Sequence, residues 1–146
     1  MPYRSIAVFK LAAVAFLLPL LGCGGDGPAL VPVEGKVTLD GVPLPKGSVR
    51  LQPDKAKGNT FGSEPVGEIV ADGSFKIMVN GKSGAPVGWY KVGVNGAGSE
   101  IPDSTKPLAN KSPVAVRFAD PATSNLSVEV VPAAAAGAYD FKVSAK

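Results

Sequence analysis

The 146-residue chain reads as an all-β protein, a single antiparallel β-sandwich of about seven or eight strands behind an N-terminal signal. Three observations lead there. Beyond the first thirty residues, apolar and polar side chains alternate, the period-2 signature of a half-buried strand. Gly, Pro, Asn or Asp interrupts each alternating run, as turns require. No window sustains the 3.6-residue period of an amphipathic helix. Many short strands separated by regular turn signals argue for a sandwich.

The elements follow in order along the chain. Val33, Val37 and Leu39 share one face, with Glu34, Lys36 and Thr38 on the other, and Asp40-Gly41 is a turn signal. Val49 and Leu51 alternate with Ser48, Arg50 and Gln52. A loop rich in Lys, Gly and Asn is expected over Pro53–Ser63. Val66–Ala71 reads as a strand, Asp72-Gly73 as a tight hairpin turn, and Ser74–Val79 as the partner strand with Phe75, Ile77 and Val79 inward. Asn80–Val87 is expected as a loop. Gly88–Asn95 is a strand with Tyr90, Val92 and Val94 on one face and Trp89 on the other. Gly96–Pro113 lacks periodicity and contains three prolines, so it reads as a long loop. Val114–Phe118, Leu126–Val131 and Tyr139–Val143 complete the strands. Pro132–Gly137 has helix-forming composition but is too short to hold a helix, and reads as a connection.

The N-terminus carries a different signal. Arg4 and Lys10 precede an apolar run from Leu11 to Leu21. That run is too short to span a hydrocarbon core, which needs about 20 apolar residues, and it reads as a cleaved signal peptide. It closes on Leu20-Leu21-Gly22-Cys23, which holds the chain's one cysteine and resembles the cleavage box of bacterial lipoprotein signals. Leu21 is bulkier than the small residue usual at its place. The resemblance implies that the Cys23 thiol receives a diacylglyceryl group, that the bond before it is cut, and that the new amino group is acylated. It also implies an outer-membrane destination, facing periplasm or exterior, because Gly24 rather than Asp follows the cysteine. The expected organisation is a signal peptide over residues 1–22, a flexible tether over 23–30 and one domain over 31–146. Without the signal, 124 residues remain and Lys+Arg falls from 15 to 13 against 12 acidic residues. The net charge drops from +3 to about +1, which implies no nucleic-acid partner and no polybasic surface. With Cys23 consumed, no disulfide is available.

Particular residues then resemble a family. Val33-x-Gly35-x-Val37, followed by Gly41-x-Pro43-Leu44 and Val49, is similar to the opening of the carboxypeptidase regulatory-like domain. Asp72-Gly73-Ser74-Phe75 is similar to its DGxF hairpin, and Pro86-x-Gly88-x-Tyr90-x-Val92-x-Val94 to its PxGxYxVxV strand. Together these cover about residues 31–95. Phe118-x-Asp120-Pro121-x-Thr123-Ser124-x-Leu126-x-Val128 resembles a C-terminal segment of small bacterial lipoproteins that carry this domain. The resemblance implies a transthyretin-like sandwich of the broad immunoglobulin-like kind, with Tyr90 as a tyrosine corner. Glu68-Ile69-Val70-Ala71 departs from the family's polar lead-in to the Asp-Gly turn, which leaves that strand's register open. Every matched residue has a role in folding that needs no ligand, so the resemblance specifies fold rather than activity.

The chain contains no histidine, which excludes Ser-His-Asp and Cys-His catalysis and histidine metal sites. The transthyretin-like hydroxyisourate hydrolases use histidines and a C-terminal Tyr-Arg-Gly-Ser, whereas this chain ends Val143-Ser144-Ala145-Lys146. Asp40, Asp54, Asp72, Asp103 and Asp120 fall in turns without calcium-loop spacing, and Asx-turns account for them. Trp89 is the candidate ligand contact, able to stack on a sugar or a partner surface, or else to cover a sheet face under a loop. The expected function is that of a non-catalytic lipoprotein, held to the membrane through Cys23 and displaying a binding or scaffolding module at the cell envelope. It needs no cofactor and no metal, and its partner is an envelope protein or a glycan. The alternative is a carbohydrate or small-ligand receptor that uses the loops and Trp89.

Overall fold

The computed structural model describes residues 27–96 and 112–146. Cys23, Asp103 and most of the expected Gly96–Pro113 loop lie outside the described residues. The described residues open with β1 (Leu30–Val31), β2 (Glu34–Leu39), β3 (Val42–Pro43) and β4 (Gly47–Pro53). A 3₁₀ turn over Lys55–Lys57 leads to β5 (Val66–Ile69), β6 (Ser74–Lys76), β7 (Met78–Val79), β8 (Lys82–Ser83) and β9 (Ala85–Pro86). The long strand β10 (Gly88–Gly96) follows, then the one-turn helix α1 (Val116–Ala119), β11 (Ser127–Val130) and β12 (Phe141–Val143).

Seven strands form one hydrogen-bonded path in the order β11-β10-β4-β5-β6-β2-β12. The path is mostly antiparallel and curled, and the fold is an all-β sandwich. Curling brings the inward residues of its two halves together. Leu51, Tyr90, Val92 and Val130 from one half join Val37, Phe75, Phe141 and Val143 from the other in a single buried cluster. Phe75 and Phe141 stack with ring centroids 5.8 Å apart. Burial follows the sequence alternation in β5, where Gly67 and Ile69 are buried and Val66 and Glu68 exposed. One pairing departs from antiparallel: β12 runs parallel to β2, with Phe141 opposite Val37 and Val143 opposite Leu39. Two parallel strands cannot be joined by a tight turn. Here β12 arrives from β11, at the other edge of the path, through the connection over residues 131–140.

The turns carry the conformations their residues favour. Asp40 and Gly41 have φ of 48° and 88°, the paired left-handed geometry that joins β2 to β3. The hairpin after β5 is wider than a two-residue turn. Val70 N–H donates to Ser74 O and Gly73 N–H to Val70 O, which encloses a three-residue loop with Gly73 at φ 81°.

Two expectations are corrected. The segment over residues 80–87 is not simply a loop, because Asn80 (φ 50°) and Gly81 (φ 75°) make the tight turn of a β7–β8 hairpin. Asn-Gly is the strongest local signal for that turn. Val114–Phe118 is not a strand but leads into α1. Val114, just before the helix, and Phe118 within it are buried, while Val116 is 86% exposed. Apolar residues at 114, 116 and 118 match the two-residue period of a strand, and tertiary packing overrides that period here. The turn lies against β10 at Gly93, where a Cβ would come within 2.9 Å of Ala119 O.

Candidate functional site

The clearest candidate surface forms where the loop after β4 folds over the start of β10. Asp54, buried within that loop, accepts from Ala56 N–H at 3.1 Å through its carboxylate and caps the 3₁₀ turn. Its own N–H donates to Trp89 O at 3.0 Å. The amide of Asn59 donates to the same Trp89 carbonyl at 2.9 Å, and its side-chain oxygen accepts from Phe61 N–H at 3.1 Å. Asn59 is itself buried, so both ends of its amide need these partners. The loop is thus pinned to the backbone of Trp89 at two points. Gly88 permits this closeness, because a Cβ there would meet the Asn59 amide at 3.0 Å.

Trp89 lies on the sheet face opposite the fully buried Tyr90, and it is half-buried. The Lys57 ammonium rests 3.6 Å from the centre of the indole ring, a cation–π contact. Across the sheet, Trp89 is in register with the exposed Glu129 of β11. Beside the indole runs an open groove of about 480 Å³, walled by Pro28, Thr60, Phe61, Val87 and Gly88 among others. Lys57 occupies one face of the ring, so a sugar stacking on that face must displace it. Lys57, Asn59 and Phe61 are contributors that the sequence did not single out. The loop's Lys, Gly and Asn composition was legible, but which side chain turns back onto Trp89 is set by the 3₁₀ turn.

Tyr90 has the corner geometry that the sequence resemblance implies. Its hydroxyl donates to Pro86 O at 2.9 Å from a wholly buried ring. Burial pushes the phenol above its ordinary value of 10.0, so it stays a neutral donor at physiological pH.

Asp54, Asp72 and Asp120 behave as turn-formers. Asp72 accepts from the Ser74 hydroxyl and, at 2.9 Å, from Ser74 N–H. These bonds hold its carboxyl below the usual 3.8. Asp120 accepts from Ala122 N–H at 2.8 Å, whereas Asp40 accepts from the distant Ala145 N–H at 3.3 Å and so ties its turn to the chain after β12. Among the described residues, no three Asp, Glu, His or Cys side chains gather as a metal site would require.

Comparison with protein-family models, curated proteins and solved structures finds no match to this chain.

Proposed function

We propose that this chain is a bacterial lipoprotein, anchored through lipidated Cys23, whose β-sandwich serves as a non-catalytic binding or scaffolding module at the cell envelope. The observation that carries the proposal is Cys23 itself, placed directly after a short apolar run with Arg4 and Lys10 before it. One acyl chain binds a membrane only marginally, and two or more hold it stably, so the expected diacylglyceryl group makes a durable anchor. The first described strand supports this division of labour. It begins at Leu30, seven residues after Cys23, and pairs with β9. The carboxypeptidase regulatory-like assignment rests on the Asp72–Phe75 and Pro86–Val94 motifs, whose residues form a hairpin turn and a tyrosine corner.

Mass spectrometry of the mature N-terminus tests the anchor. A lipidated Cys23 as first residue is expected, and Cys23→Ser is expected to leave the precursor uncut and unacylated. An unmodified Cys23, or a mature start elsewhere, refutes the proposal.

The half-buried indole beside a groove favours a second reading, a carbohydrate receptor. Glycan-array binding that disappears in Trp89→Ala would support it. Unchanged melting at saturating glycan would refute it.

A further inference from the structure

The groove at Trp89 is the place where the tether leaves the domain. Pro28 forms part of its wall, and Cys23 is five residues earlier in the chain. Five residues reach at most about 18 Å when fully extended, whatever conformation they take. The headgroup layer on one side of a bilayer is itself about 5–7 Å deep. A lipid on Cys23 therefore keeps this groove within a short distance of the membrane surface.

The chemistry of the groove suits that neighbour. Val87 is 53% exposed, Pro28 is exposed, and Phe61 and Trp89 are half-buried. Lys57 and Lys55, both exposed, supply cations on the same loop. Aromatic rings with a polar tip and lysines with apolar stems are the side chains that settle at the level of lipid headgroups. Lysines also favour an anionic phosphate layer over a neutral one. Glu129, the register partner of Trp89, is anionic and offsets part of this charge, so apolar and aromatic contact must carry much of the attraction. A short tether raises the effective concentration of the surface to the millimolar range, so an intrinsically weak contact becomes populated.

We propose that the groove walled by Pro28, Phe61, Val87 and Trp89, with Lys57 also lining it, rests on the headgroup layer of the bilayer that holds Cys23. This rests on the lipidation of Cys23 proposed above. It assigns the groove to the anchoring membrane rather than to a soluble ligand, and gives the domain a preferred orientation.

Trp89 is the chain's single tryptophan, so its fluorescence reports on this groove alone. The mature lipidated protein is reconstituted in phosphatidylglycerol vesicles containing brominated acyl chains, beside a variant with about 20 Gly/Ser residues inserted after Gly25. Lengthening the tether from five residues to about 25 lowers the effective concentration roughly tenfold. Bromolipid quenching at least about twofold greater with the native tether, and matching protection from acrylamide, is the expected result. Equal quenching and equal acrylamide access in both proteins, while both float with the vesicles, overturns the proposal and leaves the anchor intact. Failure to float, with an unmodified Cys23 by mass spectrometry, overturns the anchor and the proposal together.

Discussion

Replacing Tyr90 by Phe tests how the fold closes over the candidate site. The substitution keeps the buried ring and removes one atom, the hydroxyl that donates to Pro86 O at 2.9 Å. Pro86 is buried and belongs to β9, which holds the incoming strand β1 through the Leu30–Pro86 register. Its carbonyl is left without that donor, at a cost of about 1–3 kcal/mol for a buried polar group whose partner is deleted. For a domain of about 120 residues, each kcal/mol shifts Tm by roughly 4 °C, so a fall of about 4–12 °C is expected. Tyr90→Ala also removes the ring and opens a cavity, at about 3–5 kcal/mol in all. Thermal unfolding followed by circular dichroism measures both variants. If Tyr90→Phe melts within about 1 °C of the parent, the corner bond contributes nothing and the reasoning fails.

The other predictions are of different kinds. Gly35→Ala is expected to cost at least about 3 kcal/mol, or to prevent folding, because its Cβ would lie 2.2 Å from Tyr139 O, a backbone atom that no rotamer change can move. Wild-type denaturant stability in that variant would refute the close approach of β2 to the connection before β12. The Asp72 carboxyl is expected to titrate below 3.8 by carbon-detected NMR, since both Ser74 bonds favour the ionised form. Its contribution to stability is then fully present above 3.8 and lost as pH falls through the lowered value. Asp72→Asn should remove that part of the acid sensitivity, and an Asp72 midpoint at or above the ordinary value would refute the turn's role.

Much of this architecture was legible because strands and turns announce themselves locally. Val49 and Leu51 alternate with Arg50 and Gln52, and the structure buries the apolar pair completely. Asp40-Gly41 and Asp72-Gly73 name their turns because left-handed φ is easy only for Gly and a few short polar residues. The placement of Trp89 opposite Tyr90 needed only the two-residue period of a strand. Where the local period misled, as at Val114, Val116 and Phe118, which alternate like a strand, the packing of α1 on Gly93 overrode it. The candidate site was half legible. Trp89 stood out by type and face, whereas the partners that define its surroundings come from a loop more than 25 residues earlier.

By itself, then, the amino-acid order determined the all-β class, the Asp-Gly turns, the core face of the main strands and the cysteine that closes the apolar run. These are all consequences of neighbouring residues, read from backbone preference and alternation. Only the tertiary structure decided that β12 returns parallel to β2, that the 53–63 loop turns Lys57 onto the Trp89 ring, and that Pro28 ends beside that ring. Those contacts join residues distant along the chain, and they form because curling the sheet buries both of its apolar halves at once. Local pattern states which faces must be buried. The three-dimensional solution to burying all of them together selects which surfaces remain to meet a membrane or a partner.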